Sequence, residues 1–174
     1  GGLPGGNLGY SGSGAGDVDG DGLADVAFGS PATKEVKVFK LDPPGWLRIH
    51  WLWGGAAGDS FGWSIGGIGD VDGDGRDDLM VGAPLEDQAG MPDAGTARFY
   101  SGRTGEILAT YAGDAPNDQF GCSGALADVD GDGFADLIVG SPLDENGVVN
   151  SGSAFVFDVG FAGTPARVQH LGAP

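Results

Sequence analysis

An aspartate-rich stretch, D-x-D-x-D-G-x-x-D, recurs three times in phase along this chain and limits its possible folds more than any other feature. The copies lie in the segments Gly16 to Pro31, Gly69 to Pro84 and Ala127 to Pro142, and each continues into an apolar run that closes on Gly-Ser-Pro or Gly-Ala-Pro. From Asp17 to Asp70 is 53 residues, and from Asp70 to Asp128 is 58. A second signature precedes each copy: Leu8-Gly9-Tyr10-Ser11, Phe61-Gly62-Trp63-Ser64 and Phe120-Gly121-Cys122-Ser123. The chain stops at Gly172-Ala173-Pro174, about where a fourth signature would begin. A fixed period of this kind marks a repeat architecture. The expected organisation is one repeat domain over 1–174, with units of approximately 1–60, 61–119 and 120–174.

Within a unit the pattern reads as four short strands. In the second, Phe61 to Gly69 enters the Asp loop and Leu79-Met80-Val81 leaves it; Thr96 to Tyr100 alternates, and a turn at Ser101 to Gly105 leads into Ile107 to Tyr111. The third unit offers Leu137 to Val139, Ser153 to Phe157 and Ala166 to His170. Strands of about five residues separated by turn clusters predict an all-β, antiparallel fold. No segment sustains a 3.6-residue apolar period, so little helix is expected. The 37 glycines are not spaced as Gly-X-Y, which excludes collagen, and many stand at fixed offsets from aspartates. A four-stranded unit is too small to bury its own faces and needs neighbours.

The aspartates fall at loop positions 1, 3, 5 and 9: Asp17, Asp19, Asp21 and Asp25; Asp70, Asp72, Asp74 and Asp78; Asp128, Asp130, Asp132 and Asp136. Alternate spacing on a tightly curled backbone points successive carboxylates at one centre, and a glycine at position 6 (Gly22, Gly75, Gly133) allows the sharp turn. Position 7 would contribute only its backbone carbonyl, so Leu23, Arg76 and Phe134 are free to differ. Four converging carboxylates repel one another unless a hard cation sits between them. Oxygen-only ligands in a flexible loop favour Ca²⁺, one ion per repeat. The first six positions match an EF-hand loop, which also needs a bidentate Glu at position 12. Here position 12 is Phe28, Val81 and Val139, inside an apolar strand-like run. These are calcium loops between strands.

Taken together, the Phe-Gly signature, the Asp loop and Val81-Gly82-Ala83-Pro84 resemble FG-GAP repeats, the units of the integrin α-subunit β-propeller, over nearly the whole chain. The resemblance implies a four-stranded antiparallel blade per repeat, with calcium in the hairpin between its first two strands. It also implies an extracellular or cell-surface adhesion role, with the cation loops on the face opposite the main ligand-binding one. Closed propellers have about 4–8 blades, and three repeats fall short of that number. The chain is therefore expected to continue a longer array or to close a ring as a homodimer.

Charge and motifs narrow the partners. With 8 Lys+Arg against 25 Asp+Glu, the formal charge is −17, which leaves no basic patch for nucleic acid and repels anionic membranes. No apolar run approaches the roughly 20 residues of a spanning helix, and no leader peptide is legible, one removed upstream being compatible with the sequence. Cys122 is the single cysteine and cannot form an internal disulfide, which suits an extracellular protein stabilised by metal. The expected partner is a protein or glycan ligand. In the aromatic stretch Trp46 to Trp53, alternation sets Leu47, Ile49, Trp51 and Trp53 against Trp46, Arg48 and His50, most simply as an outer strand packing on a neighbouring blade, the alternative being an edge that stacks on a sugar or binds a partner. Glu86-Asp87 and Asp144-Glu145 read as solvated loop tips. His50 and His170 have no zinc-ligand spacing. There is no G-x-S-x-G elbow, Walker loop or H-E-x-x-H, so the chain reads as non-enzymatic. The alternatives are a structural module attached to a larger extracellular enzyme and, less favoured, a hydrolase using carboxylate pairs.

Overall fold

The computed structural model describes residues 5–127, 129, 131, 136–144, 151–158 and 166–172, with only the backbone described at 126, 127, 158 and 166–172. The chain forms three four-stranded antiparallel sheets, each a simple meander. The first comprises β1 (Ser11–Gly16), β2 (Asp25–Ser30), β3 (Glu35–Asp42) and β4 (Gly45–Trp53). The second comprises β5 (Ser64–Gly69), β6 (Asp78–Ala83), β7 (Thr96–Tyr100) and β8 (Ile107–Ala112). The third comprises β9 (Ser123–Ala127), β10 (Asp136–Ser141), β11 (Ser153–Asp158) and β12 (Ala166–Gly172). Among the described residues the only helical turn is a 3₁₀ segment at Pro31–Thr33.

The sheets are stacked as blades. The first strand of each lies innermost, β1 against β5 and β5 against β9. Each core therefore belongs to two blades at once. Between the first and second blades, Ala27, Val36, Val38 and Leu52 meet Phe61, Leu79, Val81 and Tyr100. Between the second and third, Met80, Ala97 and Phe99 meet Phe120, Leu137, Val139, Phe155 and Phe157. Burying a side chain such as Phe61, which is fully enclosed, contributes about 1.5–3 kcal/mol.

The recurring Phe-Gly and Gly-Ala-Pro signatures meet at these seams. Gly62 and Gly121 adopt positive φ, +85° and +86°, a conformation that favours glycine. Their carbonyls accept hydrogen bonds from the preceding blade, from Ser11 Oγ to Gly62 at 2.6 Å and from Ser64 Oγ to Gly121 at 2.7 Å. The same carbonyls press on a glycine of that blade's second strand. A Cβ on Gly29 would lie 2.3 Å from the Gly62 oxygen, and one on Gly82 would lie 2.0 Å from the Gly121 oxygen. The Phe-Gly of one repeat thus requires the glycine of the Gly-Ala-Pro before it.

The outermost strand departs from simple alternation. The β3–β4 register shifts between Val38 and Phe39, with Val38 facing His50 and Phe39 facing Arg48. Ile49 is the extra residue of this bulge, and a bulge exchanges the two faces of a strand. Ile49 and Leu52 pack toward the second blade, and His50 hydrogen-bonds the Gly102 carbonyl there. Trp51 and Trp53 stack on each other at 4.8 Å on the opposite, exposed side, and Arg48 lies over the Trp51 ring. The expected grouping of Ile49 with these tryptophans is corrected by the bulge; the strand packs on the neighbouring blade as expected, through Ile49 and Leu52, and leaves the tryptophans exposed.

Candidate metal centres

The first loop links β1 to β2 and the second links β5 to β6, so each cluster sits at one end of an inner hairpin. Position 9 is the first residue of the second strand and is buried: Asp25, Asp78 and Asp136 are 1%, 0% and 3% exposed. Each ties the loop closed through Oδ2, which accepts the position-2 N–H of Val18 at 2.9 Å, Val71 at 2.9 Å and Val129 at 2.8 Å. Position 1 organises the turn. The Asp17 carboxylate accepts N–H bonds from Gly20, Asp21 and Gly22 at 2.7–2.9 Å, and Asp70 accepts them from Gly73, Asp74 and Gly75 at 2.8–3.0 Å.

Positions 1, 3 and 9 converge. One carboxylate oxygen from each of Asp17, Asp19 and Asp25 lies within 4.8 Å of the others, and Asp70, Asp72 and Asp78 repeat the arrangement. Position 5 falls outside the trio. Asp21 and Asp74 instead accept the N–H of Leu23 and Arg76, each at 3.0 Å. Asp128, Asp130, Asp132 and Phe134 lie outside the described residues, as do Glu145 and the side chain of His170.

Electrostatics agree with a cation-binding arrangement. Burial raises the Asp25 carboxyl and pushes Asp78 up to about 6. The Leu23 N–H and Lys40 hold Asp21 below its ordinary value. Asp25 Oδ1 is buried and accepts no hydrogen bond, which leaves an electron pair for a cation. Two charged groups that the repeat pattern did not single out bear on the first loop. Lys40 bridges Asp19 Oδ2 at 2.5 Å and Asp21 Oδ2 at 3.2 Å. From the second loop, Asp77 Oδ2 accepts the Asp17 N–H at 2.7 Å. Arg76 reaches the Val18 carbonyl at 3.5 Å, so position 7 is not indifferent in this copy: its side chain helps dock one loop on the next.

In the acidic pairs beyond the Gly-Ala/Ser-Pro turns, Asp87 is exposed as expected, whereas Glu86 and Asp144 are not solvated tips. Asp144 is 5% exposed, and Glu86 is held by Arg98 and by Thr96 Oγ1 at 2.6 Å. A third carboxylate trio, Asp114, Asp118 and Asp144, lies away from the Asp loops. Its signal in the sequence was faint: Asp59 and Asp118 each stand two residues before the Phe of the Phe-Gly signature.

Stacked four-stranded meanders with inner strands face to face, each carrying an acidic loop in its first hairpin, define blades of a β-propeller. The FG-GAP repeat family matches residues 8–38, 61–100 and 120–157. The chain belongs to that family. Integrin alpha-PS2 of Drosophila melanogaster is 36% identical over 163 residues, covering 86% of this chain and 11% of that protein. Integrin alpha-4 of Xenopus laevis is 28% identical over 152 residues, covering 78% of this chain and 14% of that protein. The chain thus spans only a small part of the relatives it matches. Among solved structures, the exotype rhamnogalacturonan lyase YesX superposes with a TM-score of 0.55 at 14% identity, over 91% of this chain and 32% of that one. Rhamnogalacturonan lyase YesW gives 0.54 at 15% identity. At those identities the likeness concerns the fold.

Proposed function

We propose that the chain is a calcium-stapled part of a secreted or cell-surface β-propeller that acts by binding a protein or glycan ligand, not by catalysis. The observation that carries the reading is the convergence of Asp70, Asp72 and Asp78, repeated by Asp17, Asp19 and Asp25. In each copy the buried position-9 carboxylate closes the loop while the two more exposed ones complete the trio. Asp128, Asp130, Asp132 and Asp136 take the same roles in the third repeat by sequence position. The carbonyls of Leu23 and Arg76 and the carboxylates of Asp21 and Asp74 would help complete the six to eight oxygens that Ca²⁺ takes, with Phe134 and Asp132 their equivalents by sequence position. Calcium would supply positive charge where the loop concentrates negative charge, and so hold the first hairpin of each blade shut.

Kinship with integrin α subunits supports the adhesive, extracellular reading. The apolar outer face of the first blade supports completion of the ring by further blades, from a longer array or from a second copy. The likeness to lyases supports the same scaffold in proteins of other activity, and the structural-module alternative shares the metal chemistry.

The test is a thermal melt of the chain in calcium and in excess EDTA. If the folded state alone binds the ion, a hundredfold excess over Kd stabilises by about 2.7 kcal/mol per site. Asp72→Asn should remove the second loop's share of that gain. Identical melts in calcium and EDTA would overturn the metal assignment.

A further inference from the structure

The carboxylates of Asp114, Asp118 and Asp144 stand apart from the Asp loops, where the β8–β9 crossover meets the β10–β11 loop. One oxygen from each lies within 4.8 Å of the others. Asp118 is 1% exposed. Its Oδ2 accepts the N–H groups of Ala115 at 2.7 Å and Asp114 at 3.1 Å, whereas its Oδ1 is buried and has no hydrogen-bond partner. A buried carboxylate oxygen without a donor is costly and calls for a compensating group. The charges that act on it, Asp144 and Asp114, are themselves negative.

The second repeat shows how the same place is neutralised internally. There Ala56 N–H bonds Asp59 Oδ2 at 2.7 Å, as Ala115 bonds Asp118. Gly95 N–H bonds the Glu86 carbonyl at 3.0 Å, as Gly152 bonds that of Asp144. Asp59 and Glu86 are therefore the counterparts of Asp118 and Asp144. The positive charge in the second repeat comes from Arg98, which pairs with Glu86. Arg98 lies opposite Val81 in the strand register, and the residue opposite Val139 is Phe155. In the first repeat this register position is Lys37, opposite Phe28 and paired with Glu35 at 2.9 Å. The third repeat thus replaces a cation with an aromatic ring. An acid is also added: Asp114, in the crossover leading into the third blade, stands where the crossover into the second has Gly55, and a Cβ on Gly55 would lie 3.0 Å from Asp59 Oδ2.

We propose that Asp114, Asp118 and Asp144 bind a divalent cation, by donor chemistry Ca²⁺, doing in the third blade what Arg98 does in the second. All three donors are hard oxygens, and one side chain is exposed, so an ion can enter from solvent and keep water ligands. The ion would join the crossover to the β10–β11 loop and fasten the third blade where it leaves the second. The site is independent of the Asp loops and would stand if they proved empty.

The experiment counts bound calcium per chain after chelator stripping and dialysis against CaCl₂, for the unmodified chain, Asp114→Gly, Asp118→Asn and Asp72→Asn. Asp114→Gly restores the second-repeat residue at an exposed position, and Asp118→Asn keeps an oxygen for the Ala115 N–H. Each is expected to bind one Ca²⁺ fewer than the unmodified chain and to melt unchanged or higher in EDTA. A full complement of calcium in Asp114→Gly would overturn the proposal, whether or not Asp118→Asn folds. Loss in Asp72→Asn alone would support the loops and sink this site; loss in Asp114→Gly alone would do the reverse.

Discussion

At the scale of single residues, the seams between blades depend on atoms that are missing. Gly82 has no room for a methyl group because the Gly121 carbonyl occupies that space. Gly82→Ala should destabilise the chain by about 1–3 kcal/mol, the range for forced overpacking. Gly66, with nothing within 4 Å of a built Cβ, should tolerate alanine with far less loss. Urea unfolding of the two variants makes the comparison, and equal midpoints would contradict the seam argument. Asp78 makes a second case. Burial raises its folded pKa to about 6, above the unfolded value of about 3.9. Between those values the folded state binds more protons, so in EDTA this group should add stability as pH falls from above 6 toward 4. That gain should vanish in Asp78→Asn, as read from denaturation midpoints across the pH range. Occupied by calcium, the carboxylate must stay ionised, and the trend in the unmodified chain should invert.

At the scale of elements, β3 carries a buried ion pair. Glu35 is fully enclosed, Lys37 nearly so, and Trp51 Nε1 donates to Glu35 Oε2 at 2.9 Å. Removing one member strands the other charge, which costs about 3–5 kcal/mol. Lys37→Met should therefore be strongly destabilising, while Lys37→Met combined with Glu35→Gln should recover much of the loss. A double-mutant cycle by chemical denaturation checks it, and additive losses would show that the pair is not coupled. The strands themselves were legible. Thr96 to Tyr100 is β7, and the expected runs at Leu79–Val81, Ile107–Tyr111 and Leu137–Val139 lie within β6, β8 and β10, because period-two patterning and turn residues are local signals. The β4 bulge was not legible. It arises from pairing with β3 at Val38 and Phe39, a relation between strands that one strand's sequence does not contain.

At the scale of the whole molecule, the first blade ends on an unusual surface. Leu8, Phe28, Phe39 and Trp46 line an apolar cavity of about 350 Å³. Phe28 holds the register position of Val81 and Val139, both fully buried against a preceding blade. Phe28 is 36% exposed and Trp46 61%. Contiguous exposed apolar surface of this kind drives association. The 174-residue chain should therefore self-associate at micromolar concentration by light scattering, and Phe28→Asp with Trp46→Ser should shift it toward the monomer. An unmodified chain that stays monomeric would show that this face is tolerated uncovered.

The sequence by itself determined the repeat number, the strand-rich class, the family and the aspartates of the inner hairpins. Each of those rests on spacing within a few dozen residues, where backbone curvature and side-chain alternation act directly. Tertiary structure decided which carboxylates converge. It moved Asp21 and Asp74 out of the trio, brought Lys40, Arg76 and Asp77 onto the first loop, and buried Asp144 beside Asp118. The first of these is settled inside each loop by a two-residue hydrogen bond; Lys40 reaches its loop across the first sheet, 19 residues on, and Asp77 reaches Asp17 over 60 residues because blades stack on shared apolar faces.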